Sequence, residues 1–317
     1  MYRFFLALLL ILCFNCNAHS QDGKIVNKET FVISDSIINR ISSFDAELAE
    51  ELDELNFYKI TYLSDGLRIK GFIAEPKKEG KFPCIVSNRG GNRDFGQWTD
   101  ISVVYFLGKM ASWDYVVVAS QYRGVDGGEG LEEFGGKDVN DVLNLVNTLK
   151  EVPKADTNRI GIQGGSRGGM MTYLALKESC DFKAASVTAG AANAFKNIES
   201  RPDMEKHVYA ELVPNYWENK ETELKARSAV FWADEICKTT PLLIMHGSAD
   251  WRVLPEESME LVKKLYKAKH PTRFILFEGA DHGIREFRKD LFYEMKRHFD
   301  YYVRDLNALP NMEPHGR

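Results

Sequence analysis

Apolar positions change their period along the chain. Phe44, Leu48, Leu52 and Leu55 recur at helical spacing within an acidic stretch over 21–55, which predicts a helical extension packed on the outside of a domain. Residues 57–63 and 67–73 then alternate in strand fashion around Ser64-Asp65-Gly66, with glycine where a tight turn needs positive φ, so a β-hairpin is expected. Beyond it, short apolar runs over 82–87, 115–120, 159–163, 184–189, 242–245 and 273–277 alternate with helical segments over 103–112, 138–149, 256–267 and 286–303. That alternation predicts an α/β protein: a mostly parallel sheet, helices on both faces, and the antiparallel hairpin at its N-terminal edge. Functional groups in such sheets gather in loops at the carboxyl ends of strands.

Over 191–240 the alternation pauses in a segment containing Tyr209, Tyr216, Trp217, Phe231 and Trp232. Two readings stay open for it: helices packed on the domain surface, or a small cap-like insertion lining a pocket. The tail over 309–317 has two prolines and little periodicity, and is expected to fray.

The first twenty residues differ in kind. Arg3 precedes an apolar run over 4–14, and Asn17-Ala18-His19-Ser20 puts small residues before Gln21, the layout of a secretory signal peptide cleaved near Ser20. Export to the periplasm or beyond is expected, without stable membrane association afterwards. A membrane anchor is the weaker reading because the run is short for a span of about 20 residues. Lipid attachment at Cys13 or Cys16 is a lesser alternative, since neither follows the small residues that usually precede a lipidated cysteine. Residues 56–308 are long enough for one full-sized core. A formal net charge of −5 without a basic block argues against nucleic acid as a partner. Beyond the leader, Cys84, Cys180 and Cys237 allow at most one disulfide, and Cys84 in its apolar run reads as a buried thiol.

Candidate chemistry centres on Gly164-Gly165-Ser166-Arg167-Gly168-Gly169, which follows an apolar strand and precedes a helix-forming segment. Gly164, Ser166 and Gly168 satisfy the nucleophile elbow, in which a strained turn projects the serine hydroxyl. Phosphate-cradling patterns fail here on glycine spacing and on the missing Lys-Ser or Lys-Thr. Partners in this topology follow in the order serine, acid, histidine. Of seven histidines, His282 stands out, on a tight loop after the strand ending at Phe277. Asp250 lies on the loop leaving the strand over 242–245, placed to orient His282; Asp281 is the second choice for the acid, and His246 reads as structural. For an oxyanion hole, one donor is the Arg167 backbone N–H, and the other comes from Asn88-Arg89-Gly90-Gly91-Asn92.

Together these motifs resemble the catalytic domain of the prolyl oligopeptidase family of serine peptidases, within the α/β-hydrolase fold. The likeness runs from about Phe57 to Tyr302 and includes His246-Gly247-Ser248-Ala249-Asp250-Trp251-Arg252-Val253, Asp281-His282-Gly283 and Tyr122-Arg123-Gly124. The resemblance implies Ser166 as nucleophile, Asp250 as acid and His282 as base. It also implies a substrate-binding role for Arg252, where some members bind a substrate carbonyl, with Trp251 beside it. Some relatives place a tyrosine hydroxyl in the oxyanion hole where this chain has Arg89, so the second donor falls to the backbone N–H of Arg89 or Gly90. The segment between residue 21 and the hairpin is too short for the β-propeller that precedes this domain in many members, so none is expected there. The expected activity is hydrolysis of peptide bonds through an acyl-enzyme, without metal or organic cofactor. Carboxylesterase action is the alternative, and a non-catalytic binding protein the third reading.

Overall fold

The computed structural model describes residues 21–316; the expected signal peptide over 1–20 lies outside them. Nine strands form one open sheet: β1 Ile25–Thr30, β2 Leu55–Ser64, β3 Leu67–Pro76, β4 Phe82–Asn88, β5 Val116–Ser120, β6 Ala155–Gly165, β7 Ala184–Thr188, β8 Leu242–Gly247 and β9 Thr272–Phe277. Their spatial order is β1-β2-β3-β5-β4-β6-β7-β8-β9. The first three strands and the β3–β5 contact are antiparallel, and every pairing from β5 through β9 is parallel. No barrel or propeller occurs among the described residues.

The β2–β3 turn is the tight one expected. Asp65 and Gly66 both take positive φ, 51° and 77°, the twist that suits a two-residue hairpin. The extension over 21–55 corrects the helical expectation in part. It begins as β1, paired from Ile25↔Tyr62 to Thr30↔Tyr58, before α1 (Asp35–Ser42) and α2 (Ala46–Glu51). Only Ile25 of β1 is even partly buried, so the strand is held by its main-chain ladder and leaves no apolar period to read. Within the helical part, Leu48, Leu52 and Leu55 are buried as their spacing implied, whereas Phe44 is exposed.

Further helices are α3 (Asp138–Leu143), α4 (Leu145–Lys150), α5 (Arg167–Glu178), α6 (Ala194–Ser200), α7 (Tyr216–Ala226), α8 (Pro255–Lys267) and α9 (Arg288–Phe299). A helical run over 100–111 covers the segment between β4 and β5, with a wider π turn at Val103–Leu107. Central strands divide their side chains between the two faces, as a period of two requires. Val116, Val118, Leu242 and Ile244 enter one core with α3, α5 and the 191–240 segment; Val117, Leu243 and Met245 enter the other with the extension and α9. Cys84 is buried and free, and Cys180 and Cys237 form a disulfide. That bond ties the chain just after α5 to the segment approaching β8.

Register decides where the loops meet. Asn88↔Gly164 ends the β4–β6 pairing, Gly165↔Thr188 the β6–β7 pairing, and Gly247↔Phe277 the β8–β9 pairing. The loops after β4, β6, β8 and β9 therefore emerge on one edge. Because β5 lies on one side of β4 and β6 on the other, the strand order reverses at β4 and opens a crevice between loops 88–96 and the start of α5.

Candidate active site

Ser166 occupies the single-residue corner between β6 and α5 with φ 57° and ψ −124°. A residue with a Cβ resists that conformation, so the surrounding packing must impose it. It does so through glycines. A Cβ on Gly164 would lie 2.1 Å from the Gly168 carbonyl oxygen, and one on Gly168 would lie 2.2 Å from that of Asn88. Only bare backbone lets β4, β6 and α5 approach this closely. Ser166 is pinned further by its N–H donating to Thr188 O at 2.9 Å and by its carbonyl accepting from Gly169 N at 3.0 Å and Ala191 N at 3.2 Å.

Arg167 is the first residue of the 12-residue α5, where backbone N–H groups have no helical acceptor. Its side chain turns the other way, into a buried charge network. The guanidinium donates to Glu132 Oε1 at 2.7 Å, to Gly91 O at 3.0 Å and to Asp138, and lies against the rings of Tyr122 and Phe134. Burial opposes its charge, but Asp138 and Glu132 overcome that and hold it protonated. Arg89 is likewise occupied. Nε donates to Gln121 O at 2.9 Å, Nη1 to Gly90 O at 3.2 Å and Nη2 to Arg93 O at 3.1 Å, while Tyr122 Oη donates to Arg89 O at 3.0 Å. The Arg89 side chain thus braces the 88–96 loop and leaves only backbone to face a ligand. Gly90 sits directly opposite the serine, since a Cβ there would come within 3.3 Å of Ser166 Cβ.

Asp250 and His282 meet as the order of motifs implied. His282 Nδ1 and Asp250 Oδ2 are 2.7 Å apart. Oδ1 of the same carboxylate accepts from Arg252 N at 2.8 Å and Val253 N at 3.2 Å, and Oδ2 lies 3.1 Å from His246 Nε2. Burial would raise its pKa, but the hydrogen bonds from His246, His282 and backbone hold the carboxyl far below the usual carboxylate range. His246 is fully buried; its Nε2 also faces Val253 O at 2.9 Å, which requires a proton there, so Nδ1 accepts from Ser258 Oγ at 2.7 Å. It props the acid. Asp281 turns back on its own loop, accepting from Gly283 N at 2.8 Å and Arg285 N at 3.3 Å. His270 and His298 are buried structural residues, bonded to Cys237 O and Pro241 O, and burial pushes each down to about 4.

Two cavities flank Ser166. One of about 360 Å³ also takes in His282, Gly90 and an apolar wall including Trp98, Phe106 and Met295. The other, of about 340 Å³, is lined by Arg167, Phe134 and Arg252, and across from them by Arg201, Val208 and Tyr209 of the 191–240 segment. Of the aromatic residues that marked this segment, Tyr209 reaches the cavity, while Tyr216 and Trp232 are buried in the core. Trp251 is 64% exposed and lies outside the lining.

A sequence model of the prolyl oligopeptidase family matches residues 100–308. The chain belongs to that family. As a prolyl oligopeptidase family member it is a serine hydrolase of the serine-type peptidase class. It is 32% identical to the uncharacterized peptidase YtmA of Bacillus subtilis over 229 residues, covering 72% of this chain and 86% of that one. With dipeptidyl-peptidase 5 of Porphyromonas gingivalis it shares 27% identity over 65% of its own length but only 31% of the relative's. Acylaminoacyl peptidase from Pyrococcus horikoshii superposes with a TM-score of 0.68 at 25% identity, over 82% of this chain and 44% of the other. An acetyl xylan esterase from Paenibacillus sp. R4 shares the fold alone, with a TM-score of 0.65 at 18% identity.

Several participants carried no signal in the pattern. Glu132, which holds Arg167, looks like an ordinary loop acid; Asp138, its other partner, falls in the Gly136-Lys137-Asp138 stretch that resembles the family, but nothing there pointed to a pairing with Arg167. Glu257 lies in α8 among exposed acids, yet its carboxylate is fully buried and accepts from Ala192 N at 3.0 Å and Asn193 N at 2.8 Å. Arg201 of the cap-like segment carried none either.

Proposed function

We propose that the protein is an exported serine peptidase in which Ser166, His282 and Asp250 form the catalytic triad. The observation that carries this reading is the 2.7 Å Asp250–His282 contact opening onto the cavity of a serine held at φ 57°. Asp250 fixes the Nδ1–H tautomer of His282, leaving Nε2 free to accept the serine proton. Ser166 Oγ then attacks the peptide carbonyl carbon, and the developing oxyanion is taken by the backbone N–H of Arg167 and of the Arg89–Gly90 segment. Collapse expels the amine, which takes its proton from His282, and water hydrolyses the acyl-enzyme by the same route in reverse.

Pre-organisation supports the oxyanion assignment. The two arginines next to Ser166 spend their guanidinium groups on bracing, so the loop and the helix start that present N–H groups are fixed before substrate arrives. Export draws on the leader pattern and on the Cys180–Cys237 disulfide, a bond that persists in oxidising compartments. Peptides are the proposed substrates, in keeping with the peptidase relatives.

A matched pair, a proline-containing peptide amide and a short-chain aryl ester, tests the reading with wild type and Ser166→Ala. Turnover of the amide comparable to the ester's, lost in the variant, is expected. Ester turnover alone would make the protein a carboxylesterase. No turnover, together with failure of a serine-directed covalent probe to label Ser166, would leave a binding protein.

A further inference from the structure

The cavity beside Ser166 and Arg167 has two positively charged groups on its opposite rim. Arg252 follows the acid loop, and Arg201 enters from the 191–240 segment; both line the cavity that Ser166 lines. They are fixed relative to each other. Arg201 Nη1 donates to the Arg252 carbonyl at 3.1 Å, Asn197 Nδ2 reaches the same carbonyl at 3.4 Å, and the Arg252 N–H is anchored on Asp250. Both guanidinium groups lie over one indole, each 5.4 Å from the ring centroid of Trp251.

Neither guanidinium forms an ion pair among the described residues, although ten of the other arginines do, Arg89, Arg123, Arg167 and Arg227 among the buried ones. Asp203 also lines the cavity, yet it is exposed and bonds to neither. Partial burial and the neighbouring Arg252 both disfavour the charge on Arg201. Asp250 and Asp203 offset this in part without contacting the guanidinium. Two like charges held side by side, part-buried and without an ion-pair contact, form an arrangement that a carboxylate relieves, because its two oxygens can accept from both forks.

We propose that Arg201 and Arg252 together form a subsite for a substrate carboxylate, so that the enzyme prefers peptides carrying a negative charge close to the scissile bond. A substrate carbonyl alone would need one arginine; the second, supplied by the cap-like segment, is the selective element. The carboxylate belongs to the peptide's C-terminus or to an acidic side chain. This inference rests on the assignment of Ser166 as nucleophile only in placing the charge near the reacting bond.

Two matched comparisons separate the sources: an N-blocked dipeptide against its C-terminal amide, and N-blocked peptide anilides with Glu against Gln. In wild type, kcat/KM for the charged member of at least one pair should exceed that of its neutral partner by about tenfold or more, mostly through KM. The preference should shrink with added salt, fall to within about threefold in Arg201→Met, and recover in part in Arg201→Lys. A response of the first pair identifies a chain terminus, and of the second an acidic side chain. Calorimetric binding of the same dipeptide and its amide to Ser166→Ala, with and without Arg201→Met, keeps the two readings apart. An Arg201-dependent binding preference without any wild-type turnover upholds the subsite and sinks the nucleophile. Turnover with no charge preference, or a preference unchanged in a folded Arg201→Met protein, overturns the subsite.

Discussion

Asp250→Asn is the perturbation that most directly tests how the site works. Asp250 accepts four hydrogen bonds: Oδ1 takes the N–H groups of Arg252 and Val253, and Oδ2 faces both His246 Nε2 and His282 Nδ1. An asparagine that keeps its oxygen on the two backbone donors must present its NH₂ to both imidazoles. His246 cannot yield, because its Nε2 must remain protonated toward Val253 O. His282 can, by moving its proton to Nε2, but that nitrogen is then no longer a base. Loss of the correct tautomer in a Ser-His-Asp triad costs about 10⁴ in kcat, equivalent to roughly 5 kcal/mol of transition-state stabilisation. Loss of a charge-assisted bond at a buried acceptor adds roughly 1.5–3 kcal/mol of destabilisation. The assay is single-turnover hydrolysis of an aryl ester, with thermal melting in parallel and Ser166→Ala as the floor. A folded Asp250→Asn enzyme within tenfold of wild-type kcat would refute the assignment of Asp250 as the orienting acid. Refutation would be complete if Asp281→Asn then carried the loss.

Two further outcomes follow from buried groups outside the triad. Burial pushes Glu257 up to about 7 against hydrogen bonds from Asn193 and Ala192, and its Oε1 has no partner. With the folded pKa raised, its contribution to stability is fully present below the unfolded value of about 4.3 and is lost as pH rises through about 7. Glu257→Gln keeps an acceptor for both N–H groups and cannot ionise, so its melting temperature relative to wild type should increase between pH 5 and pH 8; a constant difference across that window would contradict the buried-acid account. The disulfide closes a loop with a sequence separation of 57, and replacing both Cys180 and Cys237 by serine should cost about 2–4 kcal/mol in denaturant unfolding while wild type loses a similar amount on reduction. Equal stability of reduced and oxidised wild type would contradict it.

Legibility varied with how local the cause was. The elbow turn could be read because its glycines answer to contacts within a few residues and to the neighbouring strand's backbone, and the placing of Asp250 and His282 on loops of one sheet edge because each loop follows an apolar strand. The Asp65-Gly66 turn is legible for the same reason. β1 was not, since an exposed edge strand is stabilised by main-chain pairing that places no demand on side-chain type. Glu132, Glu257 and Arg201 were also silent, and so was the pairing of Asp138 with Arg167, because burial and charge pairing depend on segments far apart in sequence.

The sequence alone therefore determined the succession of strands and helices, the residue types able to do acyl-transfer chemistry, and the loops that carry them, all consequences of periodicity and short-range sterics. Tertiary structure decided which loops share an edge, through strand register and the reversal at β4. It decided that Arg89 braces a loop, that His246 props the acid, and that Arg201 comes to stand beside Arg252. Each of those roles depends on where a charge or a polar hydrogen finds its partner once water is excluded, and no local pattern encodes that.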